Sequence, residues 1–254
     1  MAQFGGKVVI VTGAGSGIGA ATARRFARDG ASVVLAGIPE PDLVRVAADL
    51  DAGRTLVQTA DVSDPSAVER MVRATMERFG RLDVLVNNAG VAPTGAFLEA
   101  SVEDWRKVMA VDLDGVFFCT RATLPHLLQS RGNIVNVSSV SGLGGDWNMS
   151  FYNAAKGAVT NLTRSLALEL GPKGVRVNAV NPSLTFTGLT EDMKSDADLM
   201  ARFAERIPLG RGAEPEEIAD VIAFLASHDA RFVTGVNLPV DGGLMASNGQ
   251  PKQA

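Results

Sequence analysis

One cysteine, Cys119, is all that the sequence carries, so an intramolecular disulfide is impossible. Histidine is nearly as scarce. His126 and His228 are the only two, and neither stands in a metal-ligand spacing, so no metal site is expected. No basic run supplies the footprint that neutralises nucleic-acid phosphates, and the net charge is −4. No apolar stretch is long and pure enough to span a bilayer. The opening MAQFGGKVVIVTG lacks the apolar segment and small-residue cleavage site of a secretory signal. These absences argue against a disulfide scaffold, a nucleic-acid binder and a membrane-spanning chain. They predict a soluble protein of a reducing, cytoplasmic compartment, without nucleic-acid or membrane partners.

What is present is apolar residue in quantity. The chain has 254 residues, 46 % of them apolar, which suits one α/β domain or two small ones. Lys7–Thr12 (KVVIVT) is a β-branched run bounded by glycines, as expected of a strand buried on both faces. Helical pattern over Ala20–Asp29 and a second buried strand over Ser32–Ala36 follow. The alternation continues through Thr55–Thr59, Pro65–Phe79, Val84–Val86, Ser101–Ser130, Asn133–Val137, Phe151–Gly171 and Arg176–Val180. A helix near Pro215–Ala226 and a short strand near Val236–Leu238 complete it. Such alternation predicts an α/β fold, a doubly wound parallel sheet flanked by helices. No linker or repeat divides it, so residues 1–254 are expected to form a single domain. Thr190–Ile207 reads as a helical insertion, and its polar MKSDAD stretch suggests a lid near residues 188–210, with a plain surface helix as the alternative.

TGAGSGIG at 12–19 follows the first strand and opens the first helix, the context a dinucleotide needs. Glycines there let backbone N–H groups approach a pyrophosphate, and the helix N-terminus favours its charge. Gly13, Ser16, Gly17, Ile18 and Gly19 are the candidate contacts. The second strand ends in Ala36-Gly37-Ile38-Pro39. It offers neither the carboxylate that takes the adenosine ribose hydroxyls nor a cation for a 2′-phosphate. The lack of positive charge points to NAD, with NADP left open. Asp61-Val62 after the third strand could meet the adenine edge or simply form a capping turn. Asn88-Ala89-Gly90 after the fourth could let a cofactor pass close to backbone, or form a turn with a left-handed glycine.

The stretch SSVSGLGGDWNMSFYNAAK at 138–156 carries the chemistry. Ser139 lies at the carboxyl end of a strand, the side that faces a ligand crevice. Tyr152 and Lys156 are spaced i, i+4 and share one helix face. A free phenol is a poor base at neutral pH. The helix N-terminus and the Lys156 ammonium both favour its anion. Tyr152 could then take a proton from an alcohol as hydride leaves for a nicotinamide, or return it to a ketone. Ser139 could steady the same oxygen.

Together TGAGSGIG, NNAG, Ser139 with Tyr152-x-x-x-Lys156, and the Pro182…Thr187 segment resemble the short-chain dehydrogenase/reductase family. The resemblance implies a Rossmann-type sheet of about seven strands, a small-molecule substrate and a homotetramer. It also implies that Pro182, Leu184, Thr185 and Thr187 line the nicotinamide pocket. SVSGLGGDW, NPS and the tail VDGGLMASNGQPK are similar to the butanediol dehydrogenase/acetoin reductase branch, which implies vicinal diols and acyloins as substrates. Bulkier aryl or cyclic ketones are the alternative, and a non-catalytic dinucleotide sensor is the alternative from another class.

Three positions depart from the family pattern, one of them Ser183, which stands in place of the usual glycine and narrows the nicotinamide side of the pocket slightly. Asp112 stands where asparagine usually holds a water in the proton relay to Lys156. It is expected to work in that relay, or else to be a buried acid bonding backbone where a helix is distorted. Gly37 stands where the branch resemblance implies aspartate. Val140, Asp146, Trp147 and Asn148 must border the substrate, because their loop joins Ser139 to Tyr152. Trp147 could wall an apolar pocket or make a subunit contact. Gln250, in the polar tail, is expected to help close a site, in a neighbouring subunit if the tail reaches that far.

Overall fold

A computed structural model of the chain describes residues 3–250. Seven strands form one sheet in the order β3-β2-β1-β4-β5-β6-β7. They are β1 (Val8–Thr12), β2 (Ser32–Gly37), β3 (Thr55–Thr59), β4 (Val84–Asn87), β5 (Asn133–Val137), β6 (Arg176–Pro182) and β7 (Asn237–Val240). Every pairing is parallel. β1, β4 and β5 are buried at every residue. That is why they read as continuous apolar runs rather than alternating ones.

The helices are α1 (Gly17–Arg28), α2 (Glu40–Ala47), α3 (Pro65–Phe79), α4 (Val102–Val108), α5 (Gly115–Ser130), α6 (Ser150–Leu170), α7 (Glu191–Lys194), α8 (Ala197–Arg206) and α9 (Pro215–Ala226). They cover both faces and make two cores. One joins Val9, Val11, Phe26, Leu35 and Ile222; the other joins Ile10, Val34, Met71, Leu85 and Ile134. The chain reverses its winding between β1 and β4. In open α/β sheets the ligand crevice lies at such a switch point, beyond the carboxyl ends of the strands.

Three elements differ from the sequence reading. α1 starts at Gly17, three residues early, because the glycine loop feeds directly into it. α2 was not anticipated: its eight residues follow Pro39 and open with Glu40-Pro41, and Pro39-Glu40-Pro41 reads as a turn. The segment 101–130 is not one continuous α-helix. A π-helical stretch, Met109–Asp114, separates α4 from α5. No helix among the described residues is long and apolar enough to cross a membrane.

Candidate active site

The glycine loop is packed to the limit. A Cβ on Gly19 would lie 2.1 Å from the Gly13 carbonyl oxygen, and one on Gly13 would lie 2.9 Å from Ala89 Cα. A Cβ on Gly17 would lie 2.9 Å from Thr187 Cγ2, so Thr187 sits on the loop. Three stretches named from sequence therefore meet here: the loop, Asn88-Ala89 and Thr187. Thr12, which sequence reading passed over, ties two of them together. Its Oγ1 accepts from the N–H groups of Asn88 at 3.0 Å and Ala89 at 3.1 Å. Ser16 is the N-cap of α1, yet its side chain makes no capping bond. The first N–H groups of that helix are left for an anion. A dinucleotide pyrophosphate fits this donor set.

The other expected cofactor positions are distributed around the same strand ends. β6 ends at Pro182, and Leu184 and Thr185 are buried just beyond it. Asp61 accepts through Oδ1 from the Ser63 N–H at 2.9 Å and the Ser63 hydroxyl at 2.7 Å, the geometry of a turn. Val62 is buried against Gly115, where a Cβ would come within 2.7 Å of Val62 Cγ2. Of the two readings of Asp61, the turn is the one these bonds support.

The catalytic candidates come from β5 and α6. α6 buries Lys156, Val159, Thr160, Thr163, Ala167 and Leu170, a stripe at helical spacing that lies on the sheet. Ser138, beside Ser139, locks the register. Its Oγ donates to the Lys156 carbonyl at 3.0 Å and lies 2.9 Å from Thr160 Oγ1. Ser139 Oγ accepts from the Ser141 N–H at 3.1 Å, and its carbonyl accepts from Asn181 Nδ2 at 2.8 Å. The Ser139 hydroxyl proton remains for a substrate oxygen. Met149 caps α6 without a side-chain bond, so the amide dipoles of the first turn act on Tyr152 uncompensated.

Lys156 is held from three sides. Its Nζ donates to the Val137 carbonyl at 3.0 Å, lies 3.2 Å from Asp112 Oδ2, and stands 5.4 Å from the centre of the Tyr152 ring. The other Asp112 oxygen accepts from the Val91 N–H at 2.8 Å. Burial by itself would lower the ammonium, but the Asp112 carboxylate and Tyr152 outweigh it and hold Lys156 above its ordinary value of 10.5. The π-helical stretch brings Asp112 inward: a wide turn carries an extra residue and re-aims its side chain. At 3.2 Å the carboxylate and ammonium are in direct contact, with no room for a water between them.

Gly90 is not the left-handed turn glycine considered from sequence, since its φ is not positive. A Cβ there would lie 2.9 Å from Asp112 Oδ2 and 3.4 Å from Lys156 Nζ. The ion pair itself excludes a side chain. Gly90→Ala is therefore expected to cost about 1–3 kcal/mol through overpacking. Denaturant unfolding checks it, and an unchanged midpoint would show that the pair has room.

The candidate substrate loop divides. Val140 is half-buried in a short 3₁₀ turn after Ser139. Asp146 spends its carboxylate inside the loop, accepting from Ser141 Oγ at 3.2 Å and the Trp147 N–H at 2.9 Å. Trp147 is 87 % exposed. Asn148, at φ 56°, accepts through its carbonyl from the Gly95 N–H at 2.9 Å and pins the segment after β4. Gln250 is exposed, its N–H bonded to Asn248 Oδ1, and residues 251–254 of the tail lie outside the described ones. Sequence reading missed an aromatic group beside Tyr152: Phe151 meets Trp105 at 5.3 Å and Phe97 at 6.1 Å, edge to face. It also missed the buried chain Thr120–Asn87–Asn136–Thr163, which runs along one face of the sheet, over β4 and β5, from α5 to α6. Asparagines inside the apolar runs VLVN and NIVNV were the available signal. Among the described residues no cluster of three metal-ligating side chains occurs.

Known proteins resemble this chain over nearly its whole length. A family model described as enoyl-(acyl carrier protein) reductase matches residues 13–245. Meso-2,3-butanediol dehydrogenase of Serratia marcescens is 55 % identical over 250 residues, 98 % of this chain and 99 % of that one. Cis-4-hydroxycyclohexanecarboxylate dehydrogenase of Sinomonas cyclohexanicum is 47 % identical over 96 % of this chain and 98 % of its own. Among solved structures, 3-ketoacyl-(acyl-carrier-protein) reductase from Brucella melitensis, complexed with NADH, superposes with a TM-score of 0.88 at 36 % identity. That match covers 95 % of this chain and 99 % of the other.

Proposed function

Because the chain belongs to the short-chain dehydrogenase/reductase family and is a nicotinamide-dependent oxidoreductase of secondary alcohols and ketones, we propose that its substrates are vicinal diols and acyloins of the 2,3-butanediol and acetoin type. The observation that carries this reading is the 55 % identity to a butanediol dehydrogenase along 98 % of the chain. The proposed cofactor is NAD, as in the NADH-bound relative.

When bound, the nicotinamide accepts or supplies the hydride. Tyr152 takes the alcohol proton in oxidation and returns it to the ketone in reduction. Ser139 donates a hydrogen bond to the same oxygen and steadies its developing charge. Lys156 presents its ammonium 5.4 Å from the centre of the Tyr152 ring. Asp112 holds the ammonium in place through the direct contact described above. The first turn of α1 and Gly13, Gly17 and Gly19, with Thr187 against Gly17, would hold the pyrophosphate. Pro182, Leu184 and Thr185, at and beyond the end of β6, would hold the nicotinamide.

The finer features belong to the same reading. Residues 188–210, with α7 and α8, form a lid over the substrate. The chain works in the cytoplasm as a homotetramer, for which the exposed Phe117, Leu168 and Phe232 are apolar contacts. The tail carrying Gln250 helps close the site. Deleting residues 247–254 is expected to raise KM several-fold with little change in kcat. Equal KM values would remove the tail from the site.

A second reading rests on the ring-alcohol relative at 47 % identity and on the aromatic group Phe97, Trp105 and Phe151 beside Tyr152. It makes cyclic or aryl ketones the substrates. A rate matrix separates the two: NAD and NADP forms crossed with butane-2,3-diol, acetoin, diacetyl, a cyclohexanol and an aryl ketone. The highest kcat/KM is expected for acetoin or butane-2,3-diol. Turnover of the ring compounds alone would replace the first reading with the second.

A further inference from the structure

A dinucleotide site needs something to read the adenosine ribose. In this architecture an acidic residue at the end of β2 takes the 2′-hydroxyl, and a nearby arginine takes a 2′-phosphate instead. Here β2 ends in Gly37, and that backbone does not present a side chain well. Its φ is 152°, where an L side chain is strained, and a Cβ would already touch Gly13 at 3.4 Å. The reading must come from elsewhere.

The first turn of α2 lies against the glycine loop. A Cβ on Gly15 would be 2.9 Å from Asp42 Cβ, so the Asp42 side chain starts on the loop itself. Arg45 anchors it there. Its guanidinium lies 3.1 Å from Asp42 Oδ1 and also donates to the Gly15 carbonyl at 3.4 Å. The other acid of this turn, Glu40, is occupied differently, accepting from Thr59 Oγ1 at 3.0 Å. We propose that Asp42 carries the ribose recognition that Gly37 cannot, and so makes this chain select NAD over NADP. The inference rests on the nicotinamide dependence stated above.

The charges facing the loop support that selection. A cavity of about 360 Å³ runs beside Gly15, Ser16 and Gly17, and two guanidinium groups, Arg24 and Arg45, line it. Neither is free. Arg24 is paired with Asp49 at 3.1 Å, and Arg45 with Asp42. Glu191 and Glu216 complete the charged lining. A 2′-phosphate beside the loop would meet the Asp42 carboxylate, and the guanidinium in contact with that carboxylate, Arg45, is already matched. A 2′-hydroxyl would donate to the same carboxylate, a charge-assisted hydrogen bond.

Calorimetric binding of NADH and NADPH tests this without turnover. The wild type is expected to bind NADH about 100-fold more tightly than NADPH. Asp42→Asn, isosteric and at a partly exposed position, is expected to weaken NADH about tenfold, the worth of one hydrogen bond to a charged group. It should leave NADPH unchanged or tighter, so that the preference narrows. Asp42→Ala should behave alike, with thermal unfolding confirming that each variant folds. Two results overturn the inference: NADH affinity insensitive to Asp42, or wild-type NADPH binding as tight as NADH and lost in Arg45→Ala. Failure of the wild type to bind either dinucleotide would instead overturn nicotinamide dependence, and this inference with it.

Discussion

Tyr152→Phe is expected to lower kcat/KM by about 10³-fold while leaving NADH affinity within about twofold. The substitution deletes one oxygen and keeps the ring that Lys156 approaches at 5.4 Å. Lys156 keeps its contacts with Asp112 and the Val137 carbonyl, so the site should stay assembled. What disappears is the group that carries the substrate proton. Tyr152 is also the single tyrosine in the sequence. Tyrosinate absorbance at alkaline pH therefore reports this one phenol, and the variant should show none. Turnover within tenfold of wild type would remove Tyr152 from the proton path. Tight dinucleotide binding with no turnover in the wild type would point to the sensor alternative.

Asp112→Ala is expected to cost about 3–5 kcal/mol of stability, the usual penalty for leaving one member of a buried ion pair alone. The side chains are 0 % and 5 % exposed, so solvent cannot take over from the missing carboxylate. The Val91 N–H would lose its acceptor as well. Asp112→Asn keeps that acceptor and should cost less. The double variant Asp112→Ala with Lys156→Met removes both charges and should recover part of the loss. The pH dependence has a definite sign. Lys156 is raised in the folded state, so its share of stability is complete below the ordinary lysine value of 10.5. That share fades as pH rises through the higher folded value. The gap between wild type and Asp112→Ala should therefore be wide at neutral pH and narrow in strong alkali. Denaturant unfolding along a pH series checks it. A loss below about 1 kcal/mol at neutral pH would show that the pair contributes no net stability.

Local pattern accounts for what could be read without coordinates. Asn133–Val137, Thr55–Thr59 and Pro65–Phe79 were legible to the residue, because β5 is a short, mostly apolar run buried at every residue, β3 is a short run rich in β-branched residues, and α3 carries Pro at its start and Gly80 at its end. α2 was hidden by prolines that serve equally in a turn and in a first helical turn. The π-helical stretch was hidden because MAVDLD has no composition that separates it from ordinary helix. The exposure of Trp147 was not legible, since its place between Ser139 and Tyr152 says nothing of which way the loop turns it.

By itself the sequence determined the alternation of strands and helices apart from α2 and the π-helical break, the strand ends at which chemistry could occur, and the pairing of Tyr152 with Lys156. Each is written in short-range spacing, which periodicity and helix geometry convert directly into position. Only the tertiary structure decided that Asp112 touches Lys156, that Gly90 yields them space, and that Asp42 rests on Gly15. Those approaches join elements distant along the chain, and their separations are set by how helices pack on the sheet.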